Sequence, residues 1–225
     1  MPRPPTVALD GPVASGKTTV GQLLAQRLGY LFVDTGAMYR ALTWKALKSG
    51  LDLRDEATLT RLAASTRIEL MWGNHRGRPF SVLVDGQDVT DELRRPEIDY
   101  GVSLVARVPG VRRALVAQQQ ALAREGPVVM AGRDIGTVVL PAAELKVYLE
   151  ASPEARALRR YHELQEIGIA SNYQEILDHL TRRDDLDSNR PDSPLCPAPD
   201  AHRINTDALT LDQVVKAILG LMGDN

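Results

Sequence analysis

The sequence has a single cysteine, no long apolar run and almost no net charge. Cys196 excludes an intramolecular disulfide and has no partner residues at metal-ligand spacing, which indicates a reducing compartment. We expect Cys196 to fill a gap beside the neighbouring prolines rather than to act as a nucleophile. The formal charge of −2 on 225 residues gives no support to a general electrostatic attraction for nucleic acid.

The chain also lacks the segments that direct a protein to membranes. No apolar run approaches 18 residues, so no transmembrane helix is expected. Residues 1–5 lack the apolar stretch of a signal peptide. The content of 44% hydrophobic and 25% charged residues is that of a globular protein. We therefore expect a soluble cytoplasmic protein, either one domain or a core with inserted sub-domains.

Lysine is scarce among the basic residues. Of the 27 lysines and arginines only five are lysine, so 22 are arginine. The planar guanidinium can bind two phosphate oxygens at once, which an ammonium cannot do. A coding bias toward arginine explains the composition equally well, so only the positions of the arginines distinguish the two interpretations.

Apolar runs and helical segments alternate at the start of the chain. Residues 6–9 form a short apolar run typical of a buried parallel strand, and a helix follows from Lys17 with Gly29 at its end. A second strand is predicted at 30–33 and a second helix at 35–49. This alternation predicts an α/β fold with a parallel sheet.

The pattern changes between residues 67 and 91. Strands are predicted at 67–72, at 81–84 and near Val89, with turns at Gly73-Asn74 and Asp85-Gly86 that favour antiparallel hairpins. Helices follow this insert, one of them running from Pro109 to Glu125.

Parallel strands are predicted again at 128–131 and 145–149. The next segment, 154–190, holds 14 charged residues in 37, and is either a solvated helical hairpin or a mobile cover over a site. A last strand is predicted near 203–205 and a last helix from Thr210, which stands at capping-box spacing from Gln213.

The strongest motif matches the Walker A pattern between a predicted strand and a predicted helix. In this pattern successive backbone N–H groups and the helix N-terminus hold a polyphosphate. Lys17 should reach the β- and γ-phosphates, and the Thr18 hydroxyl should bind Mg²⁺. The predicted ATP-binding residues are Gly11, Pro12, Val13, Ala14, Ser15, Gly16, Lys17, Thr18 and Thr19.

The rest of the sequence narrows the class of nucleotide-binding protein. The chain has no Asn-Lys-x-Asp run of the kind that GTPases use for guanine, and no hydrophobic strand ending in Asp-Glu as in motor ATPases. Small kinases remain, and they need arginines around two anions together with a cover that excludes water.

Three further clusters lie at 34–40, 132–137 and 183–190, the first two just after predicted strands. With the phosphate loop, the order and spacing of Asp-Thr-Gly-Ala-Met-Tyr-Arg, Gly-Arg-Asp-Ile-Gly-Thr and the Arg-Asp-Asp stretch resemble the bacterial cytidylate (CMP) kinase family over nearly the whole chain. The resemblance implies a P-loop nucleoside-monophosphate kinase fold: a parallel core at 1–60, 109–153 and 191–225, an acceptor-binding insert at 61–108 and a helical lid at 154–190.

The resemblance also implies roles for residues at the matching positions. Lys17, Arg133, Arg183 and Arg190 would be catalytic. The residues that would bind the acceptor nucleotide are Thr35, Tyr39, Arg40, Ser103, Arg112, Arg133, Asp134, Arg183, Asp187 and Arg190. Among them Arg40, Arg133 and Arg190 would hold the acceptor phosphate, and Ser103, Arg112 and Asp134 would bind cytosine.

Elementary chemistry is compatible with these roles. A carboxylate such as Asp134 accepts from the cytosine amino group and would reject the carbonyl of uracil. Alternatives stay open: Arg113 rather than Arg112 could face the site, Asp134 could orient Arg133, and Tyr39 could belong to the core. Two lid positions, Leu186 and Ser188, depart from the basic residues common in the family. Arg159 or Arg160 would then help Arg183 and Arg190 to neutralise the transferring group.

The expected reaction is ATP-dependent phosphorylation of CMP and dCMP to CDP and dCDP by in-line transfer, with Mg²⁺, Lys17 and arginines neutralising charge. A monomer that binds nucleotides, without nucleic acid or membrane partners, is expected. The alternatives are a kinase for another small acceptor, such as another nucleotide or shikimate, and an NTP-dependent switch.

Overall fold

The computed structural model describes residues 6–75, 78–166, 168–190 and 192–223, without the side chains of 72–79. The strands are β1 Thr6–Asp10, β2 Leu31–Asp34, β3 Ile68–His75, β4 Arg78–Val84, β5 Gln87–Asp88, β6 Val128–Gly132, β7 Leu145–Glu150 and β8 His202–Asn205. The helices are α1 Lys17–Leu28, α2 Thr35–Lys48, α3 Glu56–Ser65, α4 Pro96–Ala106, α5 Pro109–Arg124, α6 Pro153–Glu166, α7 Tyr173–Ser188 and α8 Leu211–Leu221. A 3₁₀ turn at Glu92–Arg94 and a π-helical turn at Ile135–Val139 complete the elements.

The chain divides into two compact units. The first unit comprises residues 1–32 and 126–225, and the second comprises residues 33–125. The first unit contains the sheet with strand order β2-β6-β1-β7-β8. In it β1 pairs in parallel with β6 and β7, and β7 pairs in parallel with β8. All five residues of β6 are buried, as expected for a parallel strand with helices on both faces.

The register of β1 and β6 positions the functional loops. Asp10 at the end of β1 stands opposite Gly132 at the end of β6. The segments that follow these two strands therefore begin side by side at the carboxyl edge of the sheet, the usual location of ligand sites in α/β folds.

Several predicted helix boundaries in the first unit are confirmed. Helix α1 ends at Gly29, which adopts a left-handed φ of 67°. Helix α8 begins with the predicted capping box, in which the Thr210 side chain accepts from the Gln213 backbone and the Gln213 side chain accepts in return.

The second unit holds the antiparallel sheet β3-β4-β5 and helices α2 to α5. Asp85 and Gly86 both have positive φ, so the predicted tight turn is confirmed. The turn predicted at Gly73-Asn74 is wrong, because β3 continues through both residues with a shift of register between Trp72 and His75. The third strand is Gln87–Asp88, just before the predicted position near Val89.

The predicted P-loop α/β fold, with a parallel sheet, a small antiparallel insert and helices in the lid segment, is confirmed. The boundaries assigned to core, insert and lid stay a prediction. Of the described helices, none is long and apolar enough to cross a membrane. Residues 1–5, which the sequence analysis expected not to be a signal peptide, lie outside the described residues. Cys196 is exposed, so the prediction that it fills a gap is wrong.

Candidate active site

The phosphate loop links β1 to α1. Gly11 has a φ of 149°, and a Cβ there would lie 2.3 Å from the Leu149 carbonyl oxygen, so only glycine fits. Lys17 Nζ donates to the Pro12 carbonyl at 2.6 Å and to Ser15 Oγ at 3.3 Å. The lysine therefore folds back along the loop and brings its charge beside the loop backbone.

The first turn of α1 suits an anion. Its N-cap is Gly16, whose lack of a side chain leaves the first N–H groups without a side-chain cap, and residues 17–20 include no acid. Such a helix start carries partial positive charge and donors that point along the axis. This arrangement is the one that binds phosphate oxygens.

Thr18 is the residue that would hold Mg²⁺. It lies exposed in the first turn of α1, beside the loop in which Lys17 folds back. Magnesium in kinase sites takes one or two protein oxygens together with phosphate oxygens and waters. The exposed Thr18 hydroxyl next to a phosphate-binding helix start fits that requirement.

Asp10 joins the strand that leads into the phosphate loop to the segment after β6. Its Oδ1 accepts from the Ile135 N–H at 2.8 Å and its Oδ2 from the Gly136 N–H at 2.7 Å. Burial raises the pKa of Asp10 to about 6, although both N–H groups and the nearby Lys17 lower it. The residue was overlooked in the sequence, where it marks only the end of a strand.

Gly136 has to be small for this contact to form. A Cβ at Gly136 would lie 3.1 Å from Lys146 Cδ and 3.4 Å from Asp10 Oδ2. Lys146 is buried on β7, and its ammonium donates to both carboxylate oxygens of Asp200 at 3.0 and 2.9 Å. The glycine of the Gly-Arg-Asp-Ile-Gly-Thr motif therefore accommodates the stem of a buried lysine.

The titration of Asp10 predicts a pH-dependent stability. Since its pKa is about 6 in the folded protein and 3.8 ordinarily, the folded state binds the proton more tightly. The stability that Asp10 contributes is thus fully present below pH 3.8 and is lost as the pH rises to about 6, a change of about 3 kcal/mol. The difference in unfolding free energy between wild type and Asp10→Asn should fall by most of this amount, about 2 kcal/mol, between pH 4 and pH 7 in urea titrations.

Asp212 supplies the control for this experiment. It is an exposed carboxyl whose hydrogen bonds to Arg27 and Lys216 lower its pKa. The difference in unfolding free energy between wild type and Asp212→Asn should therefore rise with pH, because the stability that Asp212 contributes is lost as the pH falls. A wild-type minus Asp10→Asn difference that stays level or grows with pH would contradict the assignment.

Arg133, Asp187 and Arg190 lie together in the first unit. Arg133 Nε is paired with Asp187 Oδ2, and Arg190 Nη1 lies 3.9 Å from Asp187 Oδ1. The three side chains are largely buried, with exposed fractions of 17%, 10% and 7%. Two guanidinium groups around one carboxylate leave a net positive charge in a poorly solvated place, which suits an anionic ligand.

The remaining predicted residues of this unit have different surroundings. Asp134 is buried directly before the π-helical turn, and Arg183 is half-buried on α7. Arg159 donates instead to Thr206 Oγ1 at 3.1 Å and to the Thr206 carbonyl at 2.5 Å. Arg160 pairs with Glu163 at 2.8 Å. Arg159 and Arg160 therefore both have protein partners, and their predicted help to Arg183 and Arg190 stays a prediction.

In the second unit Asp34 orients Arg40. Asp34 caps α2 by accepting from the Ala37 N–H at 3.2 Å, and its Oδ2 lies 3.5 Å from Arg40 Nη2. Arg40 keeps 27% of its side chain exposed, and Thr35 is buried at the start of the same helix. Asp34 was not predicted as a site residue, although as the N-cap of α2 it fixes the direction of the arginine.

A second polar group in this unit contains Arg112 and Tyr39. The Arg112 guanidinium carbon lies 5.6 Å from the centre of the Tyr39 ring, a cation–π contact, and Nη1 donates to the Ala106 carbonyl at 3.2 Å. Arg112 is 3% exposed whereas Arg113 is exposed, which favours Arg112 as the inward-facing residue. Ser103 is half-buried on α4.

Comparison with known proteins gives one consistent result. The family model described as "Cytidylate kinase" matches residues 7–223. A cytidylate kinase of Pelotomaculum thermopropionicum is 49% identical over 96% of this chain and 94% of its own length. One from Geobacillus kaustophilus is 48% identical over 100% and 99% of the two chains.

Among solved structures, a gluconokinase from Sinorhizobium meliloti shares the fold. Its TM-score is 0.50 at 17% sequence identity, and the alignment covers 98% of this chain and 92% of the other. The likeness at this identity concerns the fold alone. The match of the family over nearly all the chain is the decisive finding: this protein belongs to the cytidylate kinase family of nucleoside-monophosphate kinases.

Proposed function

We propose that the protein transfers the γ-phosphoryl group of ATP to CMP and to dCMP, giving ADP with CDP or dCDP. The observation that carries this proposal is the double hydrogen bond of Asp10. Through it the strand leading into the phosphate loop is joined to the segment that begins with Arg133. A phosphate-binding loop and an arginine beside it are what a kinase needs to bring two polyanions together.

The donor ATP binds the loop at residues 11–19. Loop N–H groups and the helix start hold the phosphate oxygens, and Lys17 neutralises charge on the β- and γ-phosphates. Bound Mg²⁺ supplies further charge neutralisation at these phosphates, with Thr18 as its protein ligand.

The acceptor CMP binds through two groups of residues. The phosphate of CMP is bound by Arg40, Arg133 and Arg190. Both Arg133 and Arg190 are paired with the buried Asp187. The cytosine of CMP is bound by Ser103, Arg112 and Asp134. The ribose and phosphate region contacts Tyr39, Arg183 and Asp187, and Thr35 is a further acceptor-binding residue. The buried carboxyl of Asp134 supports a preference for an amino group over the carbonyl of uracil.

The transfer requires no general base. The acceptor phosphate is largely a dianion near neutral pH, since its second pKa is about 6. Its oxygen attacks the γ-phosphorus in line, and ADP leaves from the opposite side. Lys17 and the arginines stabilise the charge on the transferring group, so catalysis consists of positioning and electrostatic stabilisation.

An ADP-release assay across several acceptors tests the proposal. We expect CMP and dCMP to stimulate ADP formation steeply, at least tenfold over UMP, AMP, GMP and shikimate. Preference for UMP or AMP would overturn the assignment of the cytosine-binding residues. Slow ADP release that no acceptor changes would indicate an NTP-dependent switch instead of a kinase. A cytoplasmic location, a monomer and the absence of nucleic-acid and membrane partners stay predictions from the sequence.

A further inference from the structure

Arg156 is a buried arginine that the proposed reaction leaves unused. It lies on α6 with 2% of its surface exposed. In the sequence it is one of many charges in the lid segment. A guanidinium removed from water is costly unless all its donors are engaged, so its partners indicate why it is there.

The guanidinium of Arg156 contacts three separate segments of the chain. Nε donates to the Ala151 carbonyl at 3.0 Å, just before α6. Nη1 donates to the Val13 carbonyl in the phosphate loop at 3.1 Å, and Nη2 donates to Asp184 Oδ2 on α7 at 2.5 Å. A lysine could not make this set of bonds, because it has one nitrogen in place of a planar fork.

The bond to Val13 acts on a strained part of the phosphate loop. The Val13 carbonyl belongs to the same peptide group as the N–H of Ala14, and Ala14 has a φ of 59°, which side chains other than glycine rarely adopt. The hydrogen bond from Arg156 Nη1 holds the Val13 carbonyl in one orientation. The Ala14 N–H, which points in the opposite direction within the same planar trans peptide, is thereby kept in its loop orientation.

Asp184 extends the contact to α7. Its Oδ2 is paired with Arg156, and among the residues that the structure describes its Oδ1 has no hydrogen-bond partner although it is buried. Asp184 adjoins Arg183, one of the predicted catalytic residues. The carboxylate balances the buried charge of Arg156 and connects α7 to the phosphate loop through one guanidinium.

We propose that Arg156 is a positioning residue that orients the Val13–Ala14 peptide for the ATP phosphates and couples this loop to α7 through Asp184. This inference rests on the proposed function, in that the phosphate loop binds ATP. It assigns Arg156 no contact with either nucleotide.

The test compares Arg156→Lys with Arg27→Lys in the full chain. Both arginines lie on helices and pair with an aspartate, but Arg27 is in the last turn of α1 and its partner is Asp212, at 2.6 Å. Losing a hydrogen bond from a charged donor should lower kcat/KM for ATP by about tenfold to hundredfold in Arg156→Lys. KM for CMP at saturating ATP should stay within about twofold of wild type, and Arg27→Lys should stay within about twofold for both substrates.

Asp184→Asn supplies a second variant that retains the bond to Val13. In Asp184→Asn we expect a smaller rise in KM for ATP, about threefold to tenfold. In the Arg156→Lys/Asp184→Asn double variant, KM for ATP should rise by less than the product of the two single increases. A purely structural role would lower the melting temperature and the folded fraction while leaving KM for ATP unchanged. That result, or an equal loss in Arg27→Lys, would overturn the proposal.

Binding of a non-hydrolysable ATP analogue by calorimetry separates this inference from the proposed reaction. Weaker binding in Arg156→Lys than in wild type supports the positioning role whichever acceptor is used. Failure of wild type to phosphorylate CMP would remove the proposed function while leaving this comparison intact. Equal affinity of both proteins for the analogue would overturn the positioning role.

Discussion

Replacing Lys17 with alanine should lower kcat by about 10²–10³-fold, the loss typical of removing one preorganised charge-stabilising donor. The ammonium is held beside the loop by the Pro12 carbonyl at 2.6 Å and Ser15 Oγ at 3.3 Å. Its position is thus set before the nucleotide arrives, so little reorganisation accompanies the reaction. Alanine removes the charge and also leaves the Pro12 carbonyl without this donor.

Steady-state kinetics with ATP and CMP measure this effect, and Lys216→Ala is the matched control. Lys216 is a lysine on α8 that is 70% exposed and pairs with Asp212. The control should keep kcat within about twofold of wild type, because exposed ion pairs contribute little. A kcat near the wild-type value in Lys17→Ala would disprove the role of this lysine in the transfer.

Arg133→Ala should lower kcat/KM for CMP by about 10²-fold or more, chiefly through a higher KM. The variant loses the guanidinium that pairs with Asp187, so the one ion pair that Asp187 keeps within the described ranges is with the more distant Arg190, at 3.9 Å. The cluster then changes from two cations around one anion to a neutral pair. Its attraction for a phosphate dianion falls accordingly.

Arg133→Ala should change the kinetic constants for CMP but not those for ATP. KM for ATP should change by less than about threefold, because the phosphate loop keeps its own donors. Arg113→Ala is the control, since Arg113 is exposed on α5 while its neighbour Arg112 is buried. Arg40→Ala should also raise KM for CMP. Equal losses for both substrates in Arg133→Ala would contradict the acceptor-phosphate assignment.

The sequence predicted the fold class and the phosphate loop because their signals are local. A strand, a glycine-rich turn and a helix follow one another within residues 6–28, and each rests on neighbouring residues alone. The hairpin turn at Asp85-Gly86 was predicted for the same reason, since the dipeptide itself carries the positive φ values. The turn predicted at Gly73-Asn74 is wrong because β3 runs through both residues, with Trp72 and His75 on either side of them paired to β4.

The contacts that organise the site were not predictable in this way. Asp10 and Ile135 are 125 positions apart, and only the parallel pairing of β1 with β6 brings them together. Arg156 and Val13 are 143 positions apart. The sequence analysis counted Arg156 only among the charges of the segment 154–190, because its burial depends on three separate segments meeting at one guanidinium. The uncertainty between Arg112 and Arg113 was likewise a matter of helix rotation, which sequence adjacency does not reveal.

The exposed Cys196 makes the chain ready for spectroscopic labelling. Because it is the single thiol, a maleimide fluorophore or nitroxide attaches at one place without prior removal of other cysteines. The label follows Leu195, whose N–H donates at 2.9 Å to the backbone carbonyl of Asp187, the residue whose side chain pairs with Arg133 and Arg190. Its signal therefore reports on the surroundings of this charge cluster while nucleotides are added.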